Sequence, residues 1–429
     1  MTKNAPMRVV RSGGWAMDQR RTIYLCAVVL GVILFFFMLY MRIIWNVYTD
    51  NRPGHPPPFG DFFPLWSYAK IATQRTVAEL YDMATLHDRQ VALGMDPNVP
   101  NPFPYPPPAM FLFWPLAWMP YDTSYLVWII GSLTLFVWTV RATCSRLPPC
   151  LLFVLISPAS VGNIFMGQSG FISAALLTAG LRLATVRPVA AGILLGLLSY
   201  KPQLGILVPV ALVAAGWWRV FITAAATVLA LALAATLTYG WQTWVAWIAM
   251  LPAYADLVDR APSLPRMLTV IANLQMIGVS LTVAKIAQAG VAIFVALTVA
   301  RCFRRDPNPL ATAALIVGAF LATPHAFFYD LPMVTAAMVL FIQARIDTTG
   351  RFSTFELAVL VVAGLFPIAM LTRNIPVPVS AVALLLLFAV IVRAHARSFG
   401  DRHLLLDPIP DRLLDMHAIE PRDLLQPRR

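Results

Sequence analysis

The residues able to do chemistry are gathered in a few short segments: Phe59-Gly60-Asp61-Phe62-Phe63, Tyr105-Pro106-Pro107-Pro108, Asn163 to Gly170, Ser199-Tyr200-Lys201-Pro202-Gln203, Thr323 to Asp330, and Leu371-Thr372-Arg373-Asn374. They supply a carboxylate in Asp61, cations in Lys201 and Arg373, an imidazole in His325, amides in Asn163 and Gln168, and Tyr105, Tyr329 and Asp330. Together such groups could grip a phosphate, orient a polar acceptor and move a proton. A carboxylate that takes a hydroxyl proton typically speeds such a transfer by about 10² to 10⁴, and cations stabilise the charge that builds on a departing phosphate. Each segment alone is a weak signal. What unites them is the side of a membrane on which they fall.

The membrane follows from composition. The 429 residues are 59% hydrophobic and 12% charged, with a mean hydropathy of +0.71, whereas soluble domains carry about 25% charged residues. Ile23 to Met41, Thr123 to Val140, Val220 to Leu237 and Val377 to Val392 contain no charge. By this criterion the chain is predicted to be an all-α integral membrane protein of about twelve spans, each needing roughly 20 apolar residues. The net charge of +12 is scattered at span ends, at Arg141/Arg146, Arg182/Arg187, Arg219, Arg301/Arg304/Arg305, Arg345/Arg351 and Arg393/Arg397. That pattern points to the positive-inside rule rather than to nucleic acid. It puts both termini in the cytoplasm and the polar segments on the outer face of the plasma membrane.

The basic amino terminus resembles a signal sequence, but its apolar run is long and lacks a small-x-small cleavage site, so it reads as an uncleaved first span. Cys26, Cys144, Cys150 and Cys302 fall in spans or on the inner side and read as packing residues.

This topology divides the chain into an amino-terminal tail (1–21), a polytopic catalytic domain (22–395) and a cytoplasmic tail (396–429), with long outer loops at 46–105 and 239–266. The first loop holds two proline clusters, and between them Leu65, Ala69, Ala72, Thr76 and Leu80 recur at helical spacing. That pattern predicts a helix on the outer surface, with Trp66 and Tyr68 at headgroup level. Trp241, Trp244, Trp247 and Tyr254 suggest interfacial contact for the second loop. Ala109 to Met119, interrupted by Pro115 and bounded by Pro120, reads as a re-entrant or kinked extension, because a full span there would divide the polar segments between two faces.

With that sidedness, the segments suit glycosyl transfer from a lipid phosphate. They also resemble glycosyltransferase family 87, within the C-type, polyprenyl-phosphate-sugar-dependent superfamily. The resemblance is carried by an aspartate soon after the first span, the Tyr-Pro-Pro stretch, Asn-x-x-x-Gly-Gln, Lys-Pro-Gln and Pro-His…Tyr-Asp-Leu, in order from about Ile23 to Val392. It implies a C-type fold, a polyprenyl-phosphate donor with mannose favoured, a glycolipid or glycan acceptor, and inversion by direct displacement. It also implies Asp61 as general base and His325 as a donor-phosphate or base-supporting residue. Lys201, Gln168 and Arg373 would line the pocket. The long proline-rich first loop departs from the family and leaves the acceptor open.

Every site residue has a plainer reading. Asp61 precedes Pro64 and a helix, so it is also a candidate helix cap. His325 could bond backbone at a helix end, and Lys201 could snorkel beside Tyr200. Asn163, Gly167, Gln168 and Gly170 could simply break the chain between spans. Arg266 reads as a lipid-phosphate contact, as Arg373 also could. No phosphate-cradling glycine loop, dinucleotide fingerprint or zinc motif is present. A soluble nucleotide-sugar donor is thus disfavoured, and neither cofactor nor metal is expected; Asp61 has no acidic neighbour in sequence closer than Asp50. The rival readings are a transporter or lipid flippase and a non-catalytic envelope assembly factor. The first usually shows repeated halves and charges within spans, whereas Lys285, the best such charge here, lies near an outer span end.

Overall fold

The computed structural model describes residues 60–143, 153–259, 264–371 and 378–406. The expected first span, the amino-terminal tail, Arg373, Cys26, Cys144 and Cys150 lie outside the described residues, as does the carboxy-terminal tail beyond 406. The described chain is helical, with one isolated antiparallel bridge between Met267 and Phe327.

The spanning helices pack around a helix whose sequence is almost wholly apolar and small. The first-loop helices are α1 (Phe62–Ala72), α2 (Met83–Ala92) and the short α3 (Met110–Phe113), followed by α4 (Tyr121–Thr143). Next come α5 (Pro158–Met166), α6 (Gly170–Leu183), α7 (Pro188–Leu197), α8 (Val208–Ala214) and α9 (Trp218–Tyr239). The second loop forms α10 (Gln242–Val258) and α11 (Val270–Met276); α12 (Leu281–Arg305), α13 (Pro309–Ala322), α14 (Pro332–Thr348), α15 (Thr354–Leu371) and α16 (Ser380–Leu406) complete the chain. Helix α13 lies at the centre, packed on α12, α14 and α16, and is buried from Leu310 to Ala322 except at Thr312. Its start follows from local chemistry: Pro309 needs no donor at the first helical position, and the Asn308 side chain accepts from the Leu310 and Ala311 amides.

The rim is inverted relative to a soluble protein. On α9, Ile222, Leu229, Leu233 and Leu237 are exposed, as are Ile286, Ile293, Phe294 and Leu297 on α12. Contiguous exposed apolar surface of this kind needs a nonpolar surrounding. Tyr121–Thr143, Trp218–Tyr239, Leu281–Arg305 and Ser380–Ser398 are long and apolar enough to cross a membrane, and five shorter apolar helices accompany them. The chain is a multi-pass membrane protein. The shorter helices are those that the polar segments interrupt, so full-length spans are fewer among the described residues than hydropathy alone predicts.

Ala109 to Met119 does not form a span. Helix α3 covers four residues there, bracketed by 3₁₀ turns at Pro107–Ala109 and Trp114–Trp118, because Pro115 withholds a backbone donor. The first-loop helix is corrected in its placement. Helix α1 exists, but Phe62, Phe63, Leu65, Tyr68, Ala69, Ile71 and Ala72 are all buried, packed largely on the Trp114–Trp118 turn. Tyr68 therefore does not sit at a headgroup surface; its hydroxyl donates to the Pro102 carbonyl at 2.7 Å. Trp247 likewise turns inward, donating to the Pro104 carbonyl at 3.2 Å and tying the second loop to the first, while Trp241 stays exposed.

Candidate active site

The turn between α5 and α6 is the platform on which the site is built. Gly167 ends α5 with φ of +68°, a left-handed conformation that suits glycine. Its carbonyl accepts from Trp128 Nε1 at 3.0 Å, and the Ile164 carbonyl accepts from the Tyr125 hydroxyl at 2.7 Å, both from α4. Phe62 packs so closely on Gly167 that any side chain at this position would overlap it. Asp61, the residue just before Phe62, is thereby fixed over the α5–α6 turn. Gly170 allows a second close approach, with the Tyr329 carbonyl lying where a Cβ would be. Asn163 completes the knot: its buried side-chain amide donates to the Gln168 carbonyl at 3.2 Å and to the Tyr329 carbonyl at 2.9 Å. Three of the sequence segments are thus pinned to one another by backbone contacts.

Asp61 is half-buried at the start of α1, but its backbone is helical and its carboxylate makes no capping hydrogen bond. No side-chain cap hydrogen bond supports the capping alternative. Its charge acts on the phenols of Tyr68 and Tyr329, both held far above the ordinary tyrosine value mainly by burial. Tyr105 also faces this region and donates to Gln168 Oε1 at 3.3 Å.

Behind Tyr329 lies a buried ion pair. Lys201 Nζ is 2.7 Å from Asp330 Oδ1, with both side chains almost fully buried, and the ammonium stands 4.9 Å from the centre of the Tyr329 ring. Lys201 is not a snorkelling lysine. Burial pushes the Asp330 carboxyl above its ordinary value, and the adjacent ammonium pulls it back. The neighbouring Tyr200 hydroxyl donates to the Ser169 carbonyl at 3.1 Å and shares a 2.6 Å bond with Ser173, so the Lys201 turn is fastened to the same platform.

His325 occupies the rim. Its ring faces a carboxylate instead of backbone: Nε2 is 3.8 Å from Asp259 Oδ1, and Asp259 Oδ2 is 3.3 Å from Lys285 Nζ. Desolvation lowers the imidazole below its ordinary value, against the pull of Asp259. The segment carrying His325 is stitched to the second loop, where the Leu268 amide donates to the Ala326 carbonyl at 2.9 Å. The structure thus brings Asp61, Tyr105, Asn163, Gln168, Lys201, His325, Tyr329 and Asp330 into one region; Arg373 lies outside the described residues. Among the described residues no group of three or more His, Cys, Asp or Glu side chains is arranged to hold a metal ion.

The model of glycosyltransferase family 87 matches residues 103–324, over half of the chain. The chain belongs to glycosyltransferase family 87. It is therefore a membrane glycosyltransferase, which sets aside the transporter and assembly-factor readings. No curated protein and no solved structure matches the chain. In this family 87 enzyme the matched stretch contains Tyr105, Asn163, Gln168 and Lys201; His325, Tyr329 and Asp330 follow directly after its end, while Asp61 lies before it and joins it through the fold.

Sequence reasoning missed Asp259 and Ser173, read Tyr254 only as an interfacial aromatic, and did not connect Ser169 with Tyr200. Asp259 did carry a signal, as an acidic residue in a long loop, but in the sequence it is outweighed by the aromatic residues of that loop, which read as interfacial contacts. Tyr254 lies in the same loop, with its ring centre 6.4 Å from that of His325.

Proposed function

We propose that this family 87 enzyme transfers a hexose, with mannose favoured, from a polyprenyl-phosphate donor to a lipid or glycan acceptor on the outer face of the membrane. Asp61 takes the proton of the acceptor hydroxyl as its oxygen attacks the anomeric carbon. The bond from that carbon to the phosphate oxygen breaks, and polyprenyl phosphate leaves with the electron pair. A single displacement of this kind inverts the anomeric centre. His325 stands at the donor-phosphate side, and the amide of Gln168 with Tyr105 orients sugar hydroxyls. Lys201 acts from beneath by fixing Asp330 and Tyr329, and Arg373 is a further pocket residue that the family resemblance implies.

The observation that carries this reading is the placement of Asp61. Asp61 stands at a helix start without a side-chain cap hydrogen bond, and its neighbour Phe62 packs on Gly167, in the turn that also carries Asn163 and Gln168. The exposed apolar helices beside these polar segments support a donor whose head is polar and whose tail is lipid.

The test uses purified protein in lipid nanodiscs, a panel of polyprenyl-phosphate hexoses and a membrane lipid extract as acceptor source. The native chain is expected to form new glycolipid, and Asp61→Asn to lose about 10² to 10⁴ in rate. The product anomer should be opposite to that of the donor. Equal rates for native and Asp61→Asn chains would remove Asp61 as the base, and retention at the anomeric carbon would refute direct displacement.

A further inference from the structure

We propose that Lys285, held by Asp259, is the cationic anchor for a lipid-linked phosphate, and that the phosphate's hydrocarbon chain lies along the exposed face of α12. This rests on the donor class proposed above and adds the residues that seat it.

Lys285 lies near the start of α12, where hydropathy alone suggests a snorkelling lysine. Its surroundings indicate a built position. Asp259, itself largely buried, reaches from the second loop to 3.3 Å from the Lys285 ammonium, while its other oxygen faces His325. One turn further along α12, buried Gln288 clamps this end of the helix in place. Its Oε1 accepts from the Val270 and Ile271 amides at 3.1 and 3.4 Å, and its Nε2 donates to the Leu321 carbonyl at 2.7 Å. These bonds fix α12 to the start of α11 and to the end of α13, immediately before the His325 segment. The ammonium is therefore pre-positioned beside the imidazole while remaining more than half exposed.

Ser280 makes no side-chain cap on α12, so the positive end of that long helix adds to the attraction for an anion. Below Lys285, Ile286, Ile293 and Leu297 are exposed, and Gly290 has open space where a Cβ would lie. These positions recur at i, i+4, i+7 and i+11, forming one stripe that runs roughly 16 Å down the helix. Apolar exposure alone marks any lipid-facing helix. Here a cation held by Asp259 stands one residue before the stripe, about 100° round the helix from its first position, and shares that carboxylate with the imidazole at the site's rim. That combination matches a single phosphate on a long hydrocarbon chain. Asp259 supplies the resting counter-charge and positions both Lys285 and His325.

The experiment measures donor kinetics of the full chain in nanodiscs for native, Lys285→Ala, Lys285→Arg and Asp259→Asn proteins, with melting curves for each. Lys285→Ala is expected to raise the donor KM about tenfold or more, since bonds to charged groups are worth that much, with kcat within about threefold. Lys285→Arg should restore most of the affinity, and Asp259→Asn should lower kcat more than it raises KM. Polyprenyl phosphate without sugar should compete in the native protein and lose potency in Lys285→Ala, whereas excess phosphatidylglycerol should compete in neither. An unchanged KM in Lys285→Ala, or equal competition by phosphatidylglycerol, would overturn the proposal; the latter would make Lys285 an anchor for bulk lipid. If the native protein turns over no donor, tryptophan fluorescence with polyprenyl phosphate alone decides. Binding that is lost in Lys285→Ala would keep the anchor while the transfer reading falls, and equal binding would remove the anchor as well.

Discussion

Removing one partner of the Lys201–Asp330 pair should be among the most damaging single changes in this protein. Both side chains are almost fully buried at a separation of 2.7 Å, so Lys201→Met leaves a carboxylate, and Asp330→Asn an ammonium, without its counter-charge. Breaking a buried pair in this way costs about 3 to 5 kcal/mol, while replacing both partners with apolar groups is often close to neutral. Unfolding entropy of about 2.1 cal/mol/K per residue gives roughly 0.9 kcal/mol/K over 429 residues. Each single change should therefore lower Tm by roughly 3 to 6 °C. The Lys201→Met/Asp330→Leu double variant should recover at least half of that loss. The assay is thermal unfolding in nanodiscs at one scan rate, because irreversible unfolding makes Tm depend on the rate of heating. Activity should fall in all three variants, since Tyr329 loses the ammonium beneath its ring or the carboxylate that holds it there. A Lys201→Met protein that melts with the native chain would refute the reasoning, as would a double variant that loses the sum of the two single effects.

Further changes probe the platform and the rim. Gly170→Ala should drive apart the α6 start and the Tyr329 carbonyl, costing about 1 to 3 kcal/mol by overpacking; comparison of melting curves and activity with Gly180→Ala, which meets only a leucine side chain and a helix carbonyl, checks the site effect. Trp128→Phe removes the donor to Gly167 and leaves that buried carbonyl short of a partner, so it should destabilise by about 1 to 3 kcal/mol, measured by the same melting assay. His325 titrates below its ordinary value of 6.5 in the folded chain, so the unfolded chain takes up its proton first. The stability it contributes is full above about 6.5 and is lost as pH falls below it. Melting curves at falling pH should show a shallower decline for His325→Gln than for the native chain, and identical slopes would refute that assignment.

Much of the site is legible in the sequence because its residue types are costly in an apolar chain. Asp61, Lys201, His325 and Asp330 stand out against hydrophobic surroundings, and the Asn163 to Gly170 segment breaks helix chemistry in a recognisable way. The roles are less legible. Lys201 reads equally well as a snorkelling residue or a phosphate ligand, and the snorkelling reading falls once Asp330, 129 positions away, stands beside it. Tyr68 and Trp66 read as headgroup aromatics because their types favour that level, yet the first-loop helix folds inward and uses Tyr68 as a fastener. Asp259 gives little local signal because its partners, His325 and Lys285, belong to other elements.

The sequence by itself determined the class of molecule. Apolar length and the distribution of arginines depend on local composition, and they are sufficient to specify helices in a membrane with their polar interruptions. The order of the short motifs also pointed to the family. Tertiary structure decided which of those interruptions meet. The Phe62–Gly167 and Gly170–Tyr329 contacts depend on how closely backbones approach, and the Lys201–Asp330 and Asp259–Lys285 pairs on side chains that converge from distant parts of the chain. Such contacts are set by the three-dimensional packing of helices, which no local pattern of residues records.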